Sequence, residues 1–402
     1  MFASPCSSRA GHALLHSRKS VAALLACTIA GLSLLDQPVM AHDNHHSIED
    51  LFAGATILAG PNLVDCTLSG GTATRCFSIT VKSEPATYTP GPWCPRNVSD
   101  DSAGGGIWLE GGGVFEVDGQ FIKNMGSFYN DSQWQLFDSE SGKIRVTDTL
   151  ESCRAAARPN VDPAYRNHCV ECLPEYMGDD ASVTYTIPLN PVPGEDRTFQ
   201  TRASGSGVAV NGVRLDGPAP VEAILGNYTL APFDDCGGHV NLAVGYHYHA
   251  ATDCLSDVAV ADDHGQVIGV AMDGYLIMAR KDNTGEVPTD LDSCGGHVVD
   301  GTYHYHAGAE GSNAILSCLT GEAGCVSGDT GESCDASKSA NHGPQGGGVA
   351  RPDFAAAAKA LGITEAKLLA ALGGPPPDFD KAAAALGISV DKLRELLPTP
   401  DR

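Results

Sequence analysis

The sequence predicts an all-β domain, a β-sandwich or open barrel with an internal duplication, followed by a small C-terminal α-helical repeat module. Three observations carry this. Short alternating apolar runs separated by glycine and turn residues fill about 62–320. A unit of roughly 60 residues occurs twice within that span, at about 205–254 and 267–318. After it the composition changes to two alanine- and leucine-rich stretches with helical spacing.

The chain opens with Arg9, Arg18 and Lys19 before an apolar run, Val21 to Leu35, and small residues near Ala41. Residues 1–41 therefore read as a secretory signal, its apolar run too short to span a membrane. Leu24-Leu25-Ala26-Cys27 is a looser match to a lipoprotein cleavage box. Cleavage after Ala41 leaves His42 as the new N-terminus, which is either a copper chelator or part of a polar leader. Residues 42–61 read as that leader and a short helix, with Ser47 as N-cap.

Clear strand signals follow at Cys76–Val81, Gly113–Val117, Ser182–Ile187 and Asp257–Val260. Asp262-Asp263-His264-Gly265 reads as a hairpin turn, since it lacks the spaced acids of a calcium loop. Residues 321–352, rich in glycine, serine and aspartate, read as a linker. The repeats at 354–372 and 379–397 within 353–402 each read as two short helices, stopped at Gly362 or Gly387 and capped by Thr364 or Ser389.

The formal charge of −24 argues against nucleic acid and anionic membrane surfaces as partners, and makes DNA binding by the helix pairs a poor reading. No segment after the leader is apolar enough to be an integral membrane span. The protein reads as exported, periplasmic or extracellular. Of fourteen cysteines, Cys6 and Cys27 leave with the leader, and the even remainder suggests disulfides. Spacing proposes Cys66–Cys76, Cys236–Cys254, Cys294–Cys318 and Cys325–Cys334. Cys94, Cys153, Cys169 and Cys172 remain, the last two as a Cys-x-x-Cys better read as structural bridges than as a redox pair.

The duplicated unit carries the chemistry. Gly207–Leu215 and Gly269–Ile277 match, and each is followed by Cys-Gly-Gly-His and then Tyr-His-Tyr-His. Successive strand residues face opposite ways, so His247 and His249 share one face and Tyr246 and Tyr248 the other. The same holds for His304 and His306 against Tyr303 and Tyr305. A hairpin after the Gly-Gly returns His239 or His297 to the histidine face. His239, His247, His249, His297, His304 and His306 are therefore candidate metal ligands, and imidazole-only ligation suits copper or zinc. Such units form either two mononuclear sites or one site across a pseudo-dyad. Asp273 and Asn211 occupy equivalent places and serve as turn residues, or Asp273 orients a ligand imidazole.

These segments resemble the bacterial YHYH protein family. Thr186–Pro191, Gly207–Val213 and Ala271–Ile277 are similar to its other recurrent segments, with Leu276 where the family usually has proline. The resemblance brings family membership and no mechanism. Three functional readings remain. The first is an exported metal-binding protein. The second is a metal-dependent enzyme, either a hydrolase or a copper oxidase. The third is a non-catalytic envelope or matrix module whose C-terminal helices dock an envelope protein.

Overall fold

The computed structural model describes residues 47–158, 160–178, 181–199, 205–242, 244–327, 333–339, 359–363, 367, 368, 371 and 379–396. The expected signal segment, residues 42–46 of the polar leader, most of the linker and Thr364 lie outside these residues. In chain order the strands are β1 (Ile57–Thr67), β2 (Ala73–Lys82), β3 (Ile107–Glu110), β4 (Gly113–Glu116), β5 (Ser182–Pro188) and β6 (Pro193–Phe199). The duplicated region supplies β7 (Gly207–Ala209), β8 (Arg214–Leu215), β9 (Gly238–Asn241), β10 (Gly245–Tyr248), β11 (Val260–Ala261), β12 (Gln266–Ala271), β13 (Leu276–Met278), β14 (Gly296–Val299) and β15 (Thr302–His306). β16 (Cys318–Gly321) and β17 (Cys325–Ser327) close the β-rich part.

These strands form several open sheets, and none closes into a barrel among the described residues. The sheet that matters for function runs β14-β15-β13-β12-β7-β8-β10-β9, with β11 paired to β12. This order is a palindrome: exchanging the two sequence copies maps the sheet onto itself. Its centre is the antiparallel pair β7–β12, where Val208 faces Val270, equivalent residues of the two copies. Each half repeats a parallel pair, β8–β10 or β13–β15, and an antiparallel pair, β9–β10 or β14–β15.

A second sheet, β1-β2-β5-β17, covers the first. Phe77, Ile79, Val81, Tyr185 and Ile187 from it share one buried cluster with Val208, Val210, Val270, Ile277 and Tyr305. Burying two such faces against each other is the main favourable term in the fold. A separate cluster around Trp108, Phe233, Leu230 and Cys169 fills the layer built from residues 94–144.

Six disulfides are formed among the described residues. Cys66–Cys76, Cys236–Cys254, Cys294–Cys318 and Cys325–Cys334 join as spacing suggests. Cys94–Cys169 and Cys153–Cys172 divide the Cys-x-x-Cys between two partners.

Three local expectations are corrected. Asp257-Val258-Ala259-Val260 is not a strand: Asp253–Val258 is helical and only Val260–Ala261 pairs. A four-residue alternation is too short to separate the two periods. Strand β1 starts at Ile57, inside the expected leader. The stretch expected to be a linker begins too early, because β17 pairs with β5 and Cys325 is bridged to Cys334. Ser47 caps its short helix as expected, accepting from the Asp50 amide.

In the C-terminal segment, Phe379–Leu386 and Val390–Leu396 are helical. Gly387 stops the first in the left-handed region at φ 69°, and the Ser389 hydroxyl accepts from the Lys392 amide to cap the second. Ala382, Ala383 and Leu393 bury with Leu368 in a small core of their own.

Candidate metal centres

The hairpins aim the histidines. In β9–β10, His247 pairs directly with His239, so the two imidazoles are cross-strand neighbours on one face. His249 lies two residues on and shares that face. In β14–β15, His304 pairs with His297, and His306 completes the same pattern. The loop lengths differ by one residue. Asp300 and Gly301 form a two-residue loop with φ of 50° and 84°, the type I′ turn that suits a twisted hairpin. The first copy has three residues between Asn241 and Gly245.

The turn before each hairpin is also built twice. Asp234 Oδ1 accepts from the Cys236 and Gly238 amides, and Asp292 Oδ1 from the Cys294 and Gly296 amides. Tyr246 Oη donates to Asp234, and Tyr303 Oη to Asp292. A Cβ on Gly238 would lie 2.5 Å from the Tyr246 ring, and one on Gly296 2.2 Å from Tyr303 Oη, so the second glycine of each Gly-Gly is required. Burial pushes the Asp234 carboxyl up to about 6. The signal was present in the sequence as Asp-x-Cys-Gly-Gly-His in both copies.

The tyrosine face is a locking layer. Tyr248 Oη accepts from Asn211 Nδ2 at 2.9 Å and contacts Tyr88 Oη at 2.6 Å. Tyr305 Oη donates to Asp273 Oδ2 at 2.6 Å and accepts from the Thr320 amide. Asp273 therefore holds a tyrosine and not an imidazole, because it sits beneath the opposite face of β15. Burial raises the Tyr246 and Tyr305 hydroxyls above the usual phenol value and keeps them neutral.

The groups that orient the imidazoles are different ones. His249 Nδ1 donates to the Gly217 carbonyl at 2.6 Å, and its counterpart His306 Nδ1 to the Ala279 carbonyl at 2.8 Å. His247 Nδ1 donates to the Gly245 carbonyl at 3.0 Å. His239 donates to the Pro232 carbonyl, and at the equivalent position of the second copy Asp290 Oδ1 lies 2.8 Å from His297 Nδ1. A partner on Nδ1 fixes the tautomer and leaves the Nε2 lone pair free, the arrangement of most metal-bound histidines. Burial holds His239, His247, His249 and His306 below the ordinary imidazole value, with neighbouring histidines adding to the effect at His239, His249 and His306. They are neutral near pH 7 and able to ligate.

The structure brings His239, His247 and His249 into one group, and His297, His304 and His306 into another, each with its ligand atoms within 4.8 Å of one another. The second group gains His264. The Asp262–Gly265 turn is a turn, as expected, with the Asp262 amide bonded to the Gly265 carbonyl. It also swings the His264 ring over β15. His264 Nε2 lies 3.2 Å from His297 Nε2 and 3.3 Å from His306 Nε2, and His297 Nε2 lies 3.1 Å from His304 Nε2. The matching place in the first copy is Arg202, so a ligand search limited to the repeat misses His264.

The two groups do not meet across the dyad. They sit on β10 and β15, five strand spacings apart, about 24 Å at roughly 4.8 Å per strand. They also differ in surroundings. His239, His247 and His249 open into a cavity of about 430 Å³. Asp216 lines it too; its Oδ2 approaches His247 Nε2 at 3.9 Å, while Oδ1 accepts from Arg214 and from the Gly217 amide.

Fold and site together define a duplicated β-protein with one histidine cluster on each half of a two-fold-related sheet. The class can be narrowed. Residues 184–290 match the family described as YHYH protein. The matched span includes the first cluster and His264 but ends before the second Cys-Gly-Gly-His. No curated protein and no solved structure matches the chain.

Proposed function

We propose that this is an exported metal-binding protein with two histidine centres of different kinds: a closed four-histidine zinc site and an open three-histidine site. The observation that carries the reading is the shape of the four-histidine group. Its six ring-to-ring separations are 5.2, 4.8, 5.3, 4.8, 5.1 and 5.2 Å. Four points with six nearly equal separations form a tetrahedron. A square-planar set, as Cu(II) prefers, would make two separations roughly 1.4 times the other four. A tetrahedral ion with Zn–N bonds of about 2.0–2.1 Å places its nitrogens roughly 3.3–3.4 Å apart and its ring centroids roughly 5.2 Å apart. The closest nitrogen contacts, 3.1–3.3 Å, agree. Hydrogen bonding alone serves this cluster poorly, since His297 and His306 each commit Nδ1 as donor and turn an Nε2 lone pair inward.

Four protein ligands fill a tetrahedral ion, the pattern of structural zinc sites. The three-histidine group has separations of 4.7, 5.0 and 4.8 Å, one face of such a tetrahedron, and leaves the fourth vertex for an exogenous ligand. Export is supported by the six disulfides, which persist in oxidising compartments. No helix among the described residues is long and apolar enough to cross a membrane. Residues 1–41 are proposed as the leader and the C-terminal helix pairs as a docking module for an envelope partner.

The test is metal content of the full exported chain, purified without a histidine tag or chelator. Two zinc ions per chain are expected. The variant His247→Ala/His249→Ala retains one, and His304→Ala/His306→Ala retains the other. Substoichiometric metal that ignores both variants refutes the reading.

A further inference from the structure

We infer that the three-histidine centre binds a small, mainly apolar molecule through an anionic head, the head taking the open metal vertex and the tail lying in the adjoining cavity. This rests on the proposed metal reading of the same centre.

Three features point there. The cavity, about 430 Å³, falls in the range of small-molecule sites, roughly 300–1,000 Å³. Most of its lining besides the histidines is apolar, including Ala156, Val161, Val170, Pro220 and Ile224, with Arg158, Thr229 and Asn241 among the polar residues. Water is a poor occupant of such a wall, and each methylene placed there gains about fourfold in affinity, from about 0.8 kcal/mol of transfer free energy.

The polar end selects the head. Three neutral imidazoles leave a divalent ion's charge uncompensated in a buried place, so an anion at the fourth vertex is strongly favoured. The carboxylates in the wall are already engaged. Asp216 is held by Arg214 at 3.2 Å and by the Gly217 amide, and Glu171 is held by Arg96 and the Cys94 amide. Neither belongs to the group whose atoms converge on the ion position. The geometry therefore gives a metal head-site and an apolar tail-site in one cavity. The four-histidine centre has no vertex to offer, so the two centres divide into one that braces and one that receives.

The experiment is calorimetric titration of the full chain, with zinc content measured first, using sodium octanoate, sodium acetate and octan-1-ol. Octanoate is expected to bind at least about 60-fold tighter than acetate, the value for three buried methylenes, and far tighter than octanol. Ala157→Phe and Ala223→Phe, which narrow the cavity without replacing a candidate ligand, should each weaken octanoate by tenfold or more and leave zinc content and acetate binding unchanged. His264→Ala should leave octanoate binding intact. With two zinc ions present, octanoate and acetate binding alike refutes this inference alone, as does octanoate binding that survives both cavity variants. Absence of zinc from the three-histidine centre refutes the proposed function and this inference with it.

Discussion

Replacing His264 by alanine is the sharpest probe of the four-histidine centre, because that residue comes from outside the duplicated hairpin. Its ring is only partly buried, so the truncation costs little packing in the metal-free protein. What it removes is one corner of the tetrahedron, leaving His297, His304 and His306 on one hairpin. Losing only a residue that orients a ligand typically costs 10–100-fold in metal affinity. Losing the ligand itself should cost about 100-fold or more. With zinc held in excess, a 100-fold weaker site forfeits about 2.7 kcal/mol of linked stability. At roughly 2–4 °C per kcal/mol for large domains, the zinc-loaded variant should melt about 5–10 °C below the zinc-loaded parent. After chelation the two should melt within about 2 °C of each other. The assay is thermal unfolding with and without zinc, beside a chelator competition for affinity. Equal zinc affinity in parent and variant would show that His264 is a neighbour and not a ligand, and would remove the tetrahedral argument. An equal drop with and without zinc would make it a packing residue.

Asp290→Ala should weaken zinc at the four-histidine centre by about tenfold, the low end of the usual range because the carboxylate is exposed, and leave the three-histidine centre unchanged in the same competition assay. The chelated protein should lose stability as pH falls. His239, His247, His249 and His306 have native values below the unfolded 6.5, so between those values the unfolded chain binds more protons, and stability present above pH 6.5 is lost at about 1.4 kcal/mol per pH unit per histidine. Denaturant midpoints that stay flat from pH 7 to pH 5 would contradict this. Removing the Cys94–Cys169 bridge by double serine substitution should cost about 4.5 kcal/mol from its separation of 75 residues, read by denaturant unfolding. The Cys236–Cys254 bridge, separation 18, should cost about 3.2 kcal/mol and loosen the first histidine hairpin.

How far the site was legible follows from where its information is stored. A histidine cluster made by i, i+2 and a cross-strand partner is local, so Tyr-His-Tyr-His with an upstream Gly-Gly-His announces it, and duplication doubles the signal. The order of the eight-stranded path was implicit in the same repeat, since two equal halves joined antiparallel at Val208 and Val270 must read as a palindrome. His264 was not legible, because turn chemistry explains Asp-Asp-His-Gly completely and only the pairing of β12 with β13 and β13 with β15 carries that turn over the second hairpin. Asp273 misled for the converse reason: its position in the repeat is equivalent to Asn211, and both serve the tyrosine layer beneath the sheet. The asymmetry has one root. The repeat sets three histidines per half in the same hairpin geometry, and residues outside the hairpin distinguish the two halves. In the second copy His264 joins the group as a fourth imidazole. In the first, Arg202 stands at the equivalent sequence position, and the three histidines line a cavity together with Pro220 and Ile224.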